Sequence, residues 1–185
     1  HTLGDTTENM ILLVNSLLEV SRIDSSTLVL QKNQASLEEI TKNVIQNFEN
    51  YAHASNVRFT LNIEPSLPPL ATFDRTRIAM VIKNLVDNAI RYTPNSGIIT
   101  ISIRRENARI YWEIIDQGAG IPRKEQKFIF QKFFRAKNIT SRQTRGSGIG
   151  LYLAKAIIEA SGGTIGFHSE EGKGSTFYFT LPLPT

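Results

Sequence analysis

The sequence predicts an α+β protein: a two-layer α/β sandwich in which helices cover one face of a mixed sheet, preceded by a long N-terminal helix. Three observations carry this expectation. Segments alternating apolar and polar residues interleave with segments of helical period, without a regular strand–helix–strand repeat. Two pairs of strand-like segments meet at short turns, Glu106-Asn107 and Glu170–Gly174, so antiparallel neighbours sit beside crossovers. The chain has 185 residues, 41% hydrophobic and 21% charged, which suits one packed domain plus a helical appendage and argues against disorder.

The elements follow in chain order. Leu3, Thr6, Met10, Leu13, Leu17, Val20, Asp24 and Thr27 keep a 3,4,3,4 spacing, and Ile11, Val14 and Leu18 widen the face. This predicts a heptad-type helix whose seam seeks another helix, although an amphipathic helix packed on its own domain shares the pattern. Asp24-Ser25-Ser26 ends it, and Thr27–Ala35 is a connector with strand character at Leu28–Leu30. Ser36 and Glu39 have capping-box spacing, and Leu37, Ile40, Val44, Ile45 and Phe48 form one helical face to about Ala54. Val57, Phe59, Leu61 and Ile63 alternate as a strand, Pro65, Pro68 and Pro69 make a loop, and Leu70–Phe73 is a short strand. Asp74 caps a helix reaching about Tyr92, stopped by Thr93-Pro94-Asn95-Ser96-Gly97. Ile98–Arg104 and Arg109–Ile115 form a hairpin. Pro122 opens a helix through about Gln131, and Ala136–Ser147 reads as a basic loop. Gly148–Ala160 is a helix ended by Gly162-Gly163, and Thr164–Ser169 and Ser175–Leu181 close the chain as strands.

Composition narrows the function. There is no cysteine, which excludes a disulfide scaffold, a Cys-ligated zinc or iron–sulfur site and thiol catalysis, and fits a reducing compartment. The longest apolar stretches, such as Ile78–Ile82 and Gly148–Ala154, fall far short of the roughly 18 residues of a membrane span. No charged-then-apolar leader is present. The chain begins at His1 rather than Met, so a piece of a longer parent is expected. The formal net charge is +4, unevenly spread: from Gln126 to Ile158 every charge is basic (Lys127, Lys132, Arg135, Lys137, Arg142, Arg145, Lys155). Such a run is a solvated face or seeks an anion. Nucleic acid is one such anion, but Phe128, Phe130, Phe133 and Phe134 recur at helix-like spacing, which suits a core better than a base-stacking platform.

Four stretches carry chemistry. In the helix Asp74–Tyr92, Asn84, Asn88 and Arg91 form a narrow polar stripe beside the apolar arc of Ile78, Val81, Ile82, Leu85, Val86, Ala89 and Ile90. Amide oxygens can ligate a hard cation such as Mg²⁺, and a guanidinium pairs with phosphate. Asn at a solvent boundary is the plainer reading, but two Asn in successive turns cost helix propensity and so hint at a use. Next, Asp116-Gln-Gly118-Ala-Gly120-Ile121-Pro follows a strand directly. Gly118 and Gly120 permit φ > 0 and close approach of a flat ligand, and Asp116 can accept from an exocyclic amine such as adenine's; a plain Asp–Gly turn is the alternative. Third, Gly146-Ser147-Gly148-Ile149-Gly150-Leu151 opens a helix, exposing backbone N–H groups and a positive dipole end. It lacks the Gly-Lys-Ser/Thr of a P-loop and fails the dinucleotide fingerprint at Leu151 and Leu153, so alone it equally suits a flexible loop. Fourth, Gly172-Lys-Gly174-Ser175-Thr176-Phe177 enters the last strand, and alone reads as a hairpin turn.

Together, in this order, the stretches resemble the ATP-binding catalytic domain of bacterial two-component sensor histidine kinases, within the superfamily shared with DNA gyrase, mismatch-repair ATPases and related chaperones. Asn84–Pro94 resembles the family's asparagine box, and Asp116–Pro122 its first glycine box. Ile129–Arg135 resembles its phenylalanine box, and Gly146–Leu151 and Gly172–Phe177 the remaining glycine boxes. The resemblance assigns residues 32–185 to the ATP-binding catalytic domain. Residues 1–31 become a linker plus the second helix of the dimerisation and phosphotransfer hairpin. It implies ATP and Mg²⁺ as cofactors. Asn88 would ligate Mg²⁺, assisted by Asn84. Arg91 would stand where the family usually has Lys, and Arg135 would reach the γ-phosphate. Tyr92, Ile121, Phe134, Ser147, Ile149 and Leu151 would line the site, shaped by Gly118, Gly120, Gly146, Gly148 and Gly150. Asp116 would bind the adenine amino group, and Thr176 would hydrogen-bond near it.

Two departures refine the expectation. Where the hydrolase branch of the superfamily carries a water-activating Glu, this chain has Asn84, an amide that cannot act as a base. Water or a hydroxyl needs help losing its proton, whereas a neutral imidazole attacks through a free lone pair and needs much less, so histidine is the expected acceptor. The histidines present, His1, His53 and His168, all lack the family's His-Glu/Asp…Pro context. The chain is therefore expected to bind ATP–Mg without phosphorylating itself on the physiological His. Its implied partners are a dimerisation hairpin of the same or a partner chain and a response-regulator receiver domain, with a homodimeric parent and no nucleic acid. The expected location is cytoplasmic, with a membrane anchor on the parent left open. The alternatives are a non-catalytic nucleotide-binding or scaffold module and a superfamily ATPase.

Overall fold

Inward-facing apolar residues at every second position build the main sheet. The computed structural model describes residues 28–94, 96–136 and 147–183, together with Val14, Leu18, Val20 and Ser21. Its elements are β1 (Asn33–Ala35), α1 (Leu37–Ala54), β2 (Arg58–Ile63), β3 (Ala71–Phe73), α2 (Arg75–Tyr92), β4 (Ile98–Glu106), β5 (Arg109–Asp116), α3 (Gly150–Ala160), β6 (Thr164–Glu170) and β7 (Gly174–Pro182). The large sheet runs β2-β4-β5-β7-β6, with β2 parallel to β4 and every other pair antiparallel. Ile99, Ile101 and Ile103 of β4, Ile110, Trp112 and Ile114 of β5, and Phe177, Phe179 and Leu181 of β7 are buried on one face. The helices cover that face. Leu37 and Ile40 of α1, the predicted apolar arc of α2, and Ala154, Ile157 and Ile158 of α3 share one core with those strand residues. The predicted fold class is the one observed.

The starts of α1 and α2 obey the local rules. Ser36 Oγ accepts from the Glu39 N–H at 3.2 Å. Asp74 Oδ1 accepts from the Arg77 N–H at 3.0 Å, and its Oδ2 accepts from the Gln31 N–H at 2.8 Å, fixing α2 to the segment before it. That tether contributes to a correction. The strand of the connector is Asn33–Ala35, paired antiparallel with β3, and Leu28–Leu30 has no regular structure. A second correction concerns residues 122–131. They form successive three-residue turns (Glu125 N–H to Pro122 O, Phe128 to Glu125, Gln131 to Phe128) with one 3₁₀ segment at Gln126–Phe128, rather than an α-helix. The tighter winding sends the phenylalanines in different directions: Phe130 meets Phe167, Phe128 meets Phe134, and Phe133, at φ 63°, stays 60% exposed. Of the N-terminal heptad face, the described residues Val14, Leu18 and Val20 are helical, as is Ser21 beside them, and Val20 is buried with Ile149 and Leu153. The other heptad residues, and 137–146 of the basic loop, lie outside the described residues. Among the described residues no helix is long and apolar enough to cross a membrane.

A polar link joins the layers at the centre of the core. Trp112 is fully buried on β5, stacked on Phe179, and its Nε1–H donates to Thr41 Oγ1 at 3.1 Å; Thr41 in turn donates to the Leu37 carbonyl at 2.8 Å. Thr41→Val keeps the volume and strands the indole N–H, at a cost of about 1–3 kcal/mol. Trp112 is the chain's sole tryptophan, so its fluorescence followed through urea denaturation measures the loss directly.

Candidate functional site

At the β5 and β7 ends nearest α2 and α3 lies a cavity of about 180 Å³. Helix α2 supplies one wall because its apolar arc is consumed by the core, leaving the stripe of Asn84, Asn88, Arg91 and Tyr92 to line the cavity. Asn84 Nδ2 donates to the Gly150 carbonyl at 3.3 Å, which ties α2 to the start of α3. Asn88 lines the cavity and its carboxamide makes no hydrogen bond among the described residues. Arg91, only 15% exposed, is held by Asp87 four residues earlier on the same helix, and Asp87 also lines the cavity. Burial raises the Tyr92 hydroxyl above the ordinary tyrosine range, opposed by the charges of Arg91 and Arg135.

Asp116, the last residue of β5, lines the same cavity and is 7% exposed. Its Oδ1 accepts from the Gly118 N–H at 2.8 Å and the Ser175 N–H at 3.2 Å. Oδ2 takes no hydrogen bond among the described residues and remains an acceptor for a ligand. Burial pushes this carboxyl up to about 6, against the pull of those two backbone donors. Ile121, Ile129, Phe134 and Phe177 give the cavity apolar walls. The third side is the start of α3, where Ser147, Gly148, Gly150 and Leu151 line the cavity. The first N–H groups of that helix lack intrahelical acceptors, which makes this end attractive to an anion. Arg135 and Ala136 complete the rim.

Most of the sequence-predicted residues therefore meet in one place: Asn84, Asn88, Arg91, Tyr92, Asp116, Gly120, Ile121, Phe134, Arg135, Ser147, Gly148, Gly150 and Leu151. Three do not line the cavity. Gly118 lies behind Asp116, where a Cβ would come within 2.5 Å of the Tyr92 carbonyl, and its backbone is not in the positive-φ region. Ile149 is buried with Val20 and Leu153. Thr176 is a correction. It pairs with Ile115 and points to the sheet face away from the helices, while Ser175, paired with Asp116, faces inward. Side chains alternate along a strand, so a shift of one position exchanges faces. Gly146 lies outside the described residues. Sequence reasoning missed Asp87, Ile129, Ala136, Ser175 and Phe177. The buried run Phe177, Phe179, Leu181 already carries Ser175 to the inner face by alternation.

Residues 73–185 match the family described as histidine kinase-, DNA gyrase B- and HSP90-like ATPase. The chain is 35% identical over 178 residues to the sensor histidine kinase WalK of Bacillus subtilis (strain 168), covering 95% of this chain and 29% of WalK. It is 32% identical over 187 residues to the signal transduction histidine-protein kinase BarA of Escherichia coli (strain K12), covering 99% of this chain and 20% of BarA. It thus spans less than a third of the length of either relative. Among solved structures, the histidine kinase AdeS of Acinetobacter baumannii superposes with a TM-score of 0.82 at 25% identity, covering 100% of this chain and 83% of that one. The catalytic domain of histidine kinase ThkA superposes with a TM-score of 0.71 at 30% identity, covering 83% of this chain and 96% of that one. The chain belongs to the histidine kinase-, DNA gyrase B- and HSP90-like ATPase family.

Proposed function

We propose that this chain is the ATP–Mg-binding catalytic module of a sensor histidine kinase, which delivers the γ-phosphate to a histidine on a dimerisation hairpin for relay to a response-regulator receiver domain. The observation that carries it is the polarity of the cavity. A buried carboxylate, Asp116, sits beside Gly118 and the Tyr92 carbonyl at the C-terminal end of α2, whereas the Asn84 amide, two turns earlier on that helix, meets the start of α3; Asn88 and the Arg91 and Arg135 guanidinium groups share the lining. That is the order in which adenine and a polyphosphate present a donor edge and negative charge.

The residues fit a divalent ion that arrives with its phosphates. The amide oxygens of Asn84 and Asn88 are hard neutral donors, and among the described residues no group of three His, Cys, Asp or Glu could cage an ion alone. Asn88 would hold the ion and Asn84 would assist; the ion supplies charge neutralisation on the transferring phosphate. Arg91 and Arg135 would grip phosphate oxygens, and Asp116 would read the base. With Asn84 in the place of a base, the chain's own groups position and neutralise rather than activate water, which favours a histidine acceptor over hydrolysis. Residues 1–31 would be the linker and the second hairpin helix, a reading supported by the heptad spacing of their apolar residues.

The test is transfer in trans. The chain, an acceptor hairpin and labelled ATP–Mg should yield acid-labile, base-stable phosphate on the hairpin. Label that never reaches the hairpin, or steady ATP turnover without it, counts against the kinase reading and for a nucleotide-binding scaffold or a hydrolase respectively. Asn88→Ala should remove the Mg²⁺ dependence of ATP binding, measured by calorimetry with and without chelator. Retained dependence would place the ion elsewhere.

A further inference from the structure

We propose that Ser169, braced by Gln126, is a positioning residue that sets the base selectivity of the cavity by fixing which way the Ser175 hydroxyl points its proton. The inference rests on the adenine-reading role proposed for Asp116 and goes beyond it. Neither residue lies in any of the four chemistry-bearing stretches, and neither lines the cavity.

Ser169 Oγ sits at the junction of the three segments that form the base-reading end. It accepts from the Ile121 N–H at 2.8 Å, donates to the Gly174 carbonyl at 3.0 Å, and lies 2.9 Å from Ser175 Oγ. A hydroxyl has one proton and two lone pairs. The Ser169 proton goes to Gly174 and one lone pair takes the Ile121 N–H. The contact with Ser175 must therefore be donated by Ser175. Ser169 is then saturated, and Ser175, 8% exposed and lining the cavity, has spent its proton backwards. It offers the cavity lone pairs only.

Gln126 holds this arrangement in place. Its Nε2 donates at 3.0 Å to both the Ile121 carbonyl and the Ser169 carbonyl, pinning the loop after β5 to the end of β6. The Ser175 N–H meanwhile donates to Asp116 Oδ1. At the base-reading end Asp116 Oδ2, when ionised, and Ser175 Oγ thus both face a ligand as acceptors. An exocyclic amine satisfies such a surface; a 6-oxo group leaves acceptor facing acceptor, which costs affinity. Without Ser169 the Ser175 hydroxyl is free to turn and donate to an oxo group.

The experiment compares ATP with inosine triphosphate, which carries a 6-oxo group and an N1–H where adenine has a 6-amino group and an N1 lone pair, by calorimetry on the full chain, with inorganic tripolyphosphate as the base-free probe. Ser169→Ala should cut the ATP-over-inosine preference about tenfold, the scale of one hydrogen bond, and leave tripolyphosphate binding unchanged. Ser169→Thr, which restores the hydroxyl, should restore the preference. In a Ser175→Ala background Ser169→Ala should no longer change it. Should Ser169→Ala lower the yield of folded chain, Gln126→Ala gives the same loss of preference in weaker form. A preference that survives Ser169→Ala overturns the assignment, as does equal weakening of all three ligands, which marks a merely structural role. A wild-type chain with no preference for ATP overturns the Asp116 reading and this one with it.

Discussion

Replacing Asp116 with alanine is expected to weaken ATP binding about 10- to 100-fold at pH 7.5, the loss of one hydrogen bond to a buried charged acceptor. The same change should leave tripolyphosphate affinity nearly unaltered, because the carboxylate lies at the Tyr92 end of α2, two turns from Asn84 and the start of α3. The effect should also depend on pH. Burial lifts the Asp116 carboxyl to about 6, from 3.8, while the Gly118 and Ser175 N–H groups pull it down. The native state therefore holds this proton more tightly than the unfolded chain does. The stability this contributes is complete below about pH 3.8 and is lost as pH rises through about 6. An amine donor reverses the preference, since it binds the ionised form, so adenine must drive a proton off Asp116 at low pH. The gap between wild type and Asp116→Ala should accordingly be full above pH 7 and shrink towards none near pH 5. Measuring the difference cancels the titration of ATP itself. A gap that is constant from pH 5 to 8 would show that the Asp116 proton is not linked to the base.

Much of this site was legible because its residues stand against strong local patterns. Asn84, Asn88 and Arg91 interrupt a helix whose remaining arc is fully apolar, and the structure buries that arc completely. Asp116 ends a strand whose alternation, Ile110, Trp112, Ile114, is unambiguous. Legibility failed where tertiary partners overrule local preference. Asn33-Gln34-Ala35 has little strand propensity, yet it is a strand because Asp74 anchors Gln31 and Ala35 pairs with Ala71. Phe128, Phe130, Phe133 and Phe134 mimic a helical face, but Phe128 pairs with Phe134, Phe130 packs on Phe167 and Phe133 stays exposed, while the chain winds in three-residue steps. The interchange of Thr176 with Ser175 is of another kind. Two adjacent hydroxyls are equivalent as chemistry, and parity along β7 alone tells them apart. Ser169 and Gln126 were invisible for a deeper reason: their function exists only through bonds to residues 43 to 48 positions away or across a turn.

Gly120→Ala should damage both stability and binding, because two separate costs fall on one position. Gly120 has φ 63°, in the left-handed region, where a Cβ costs about 1–2 kcal/mol. That Cβ would also lie 2.0 Å from the Glu170 carbonyl oxygen and 2.7 Å from its carbon, a collision with backbone that no side-chain rotation relieves. Neither partner can withdraw freely. The neighbouring Ala119 carbonyl accepts from the Gly172 N–H at 2.8 Å, and the Ile121 N–H is bound to Ser169. Relief must come from parting the loop after β5 from the β6–β7 turn, which moves the Asp116 end of the cavity. The expected result is a fall in Tm of about 5–10 °C, with ATP affinity reduced more than tenfold. Gly172→Ala separates the two costs. Gly172 has φ 80°, but an added Cβ meets nothing within 4 Å. It should lose only the conformational part, about 1–2 kcal/mol, and keep ATP affinity. If the two variants behave alike, close approach to Glu170 is not what Gly120 provides, and the tight seam between the β5 loop and the β6–β7 turn does not shape the base-reading end.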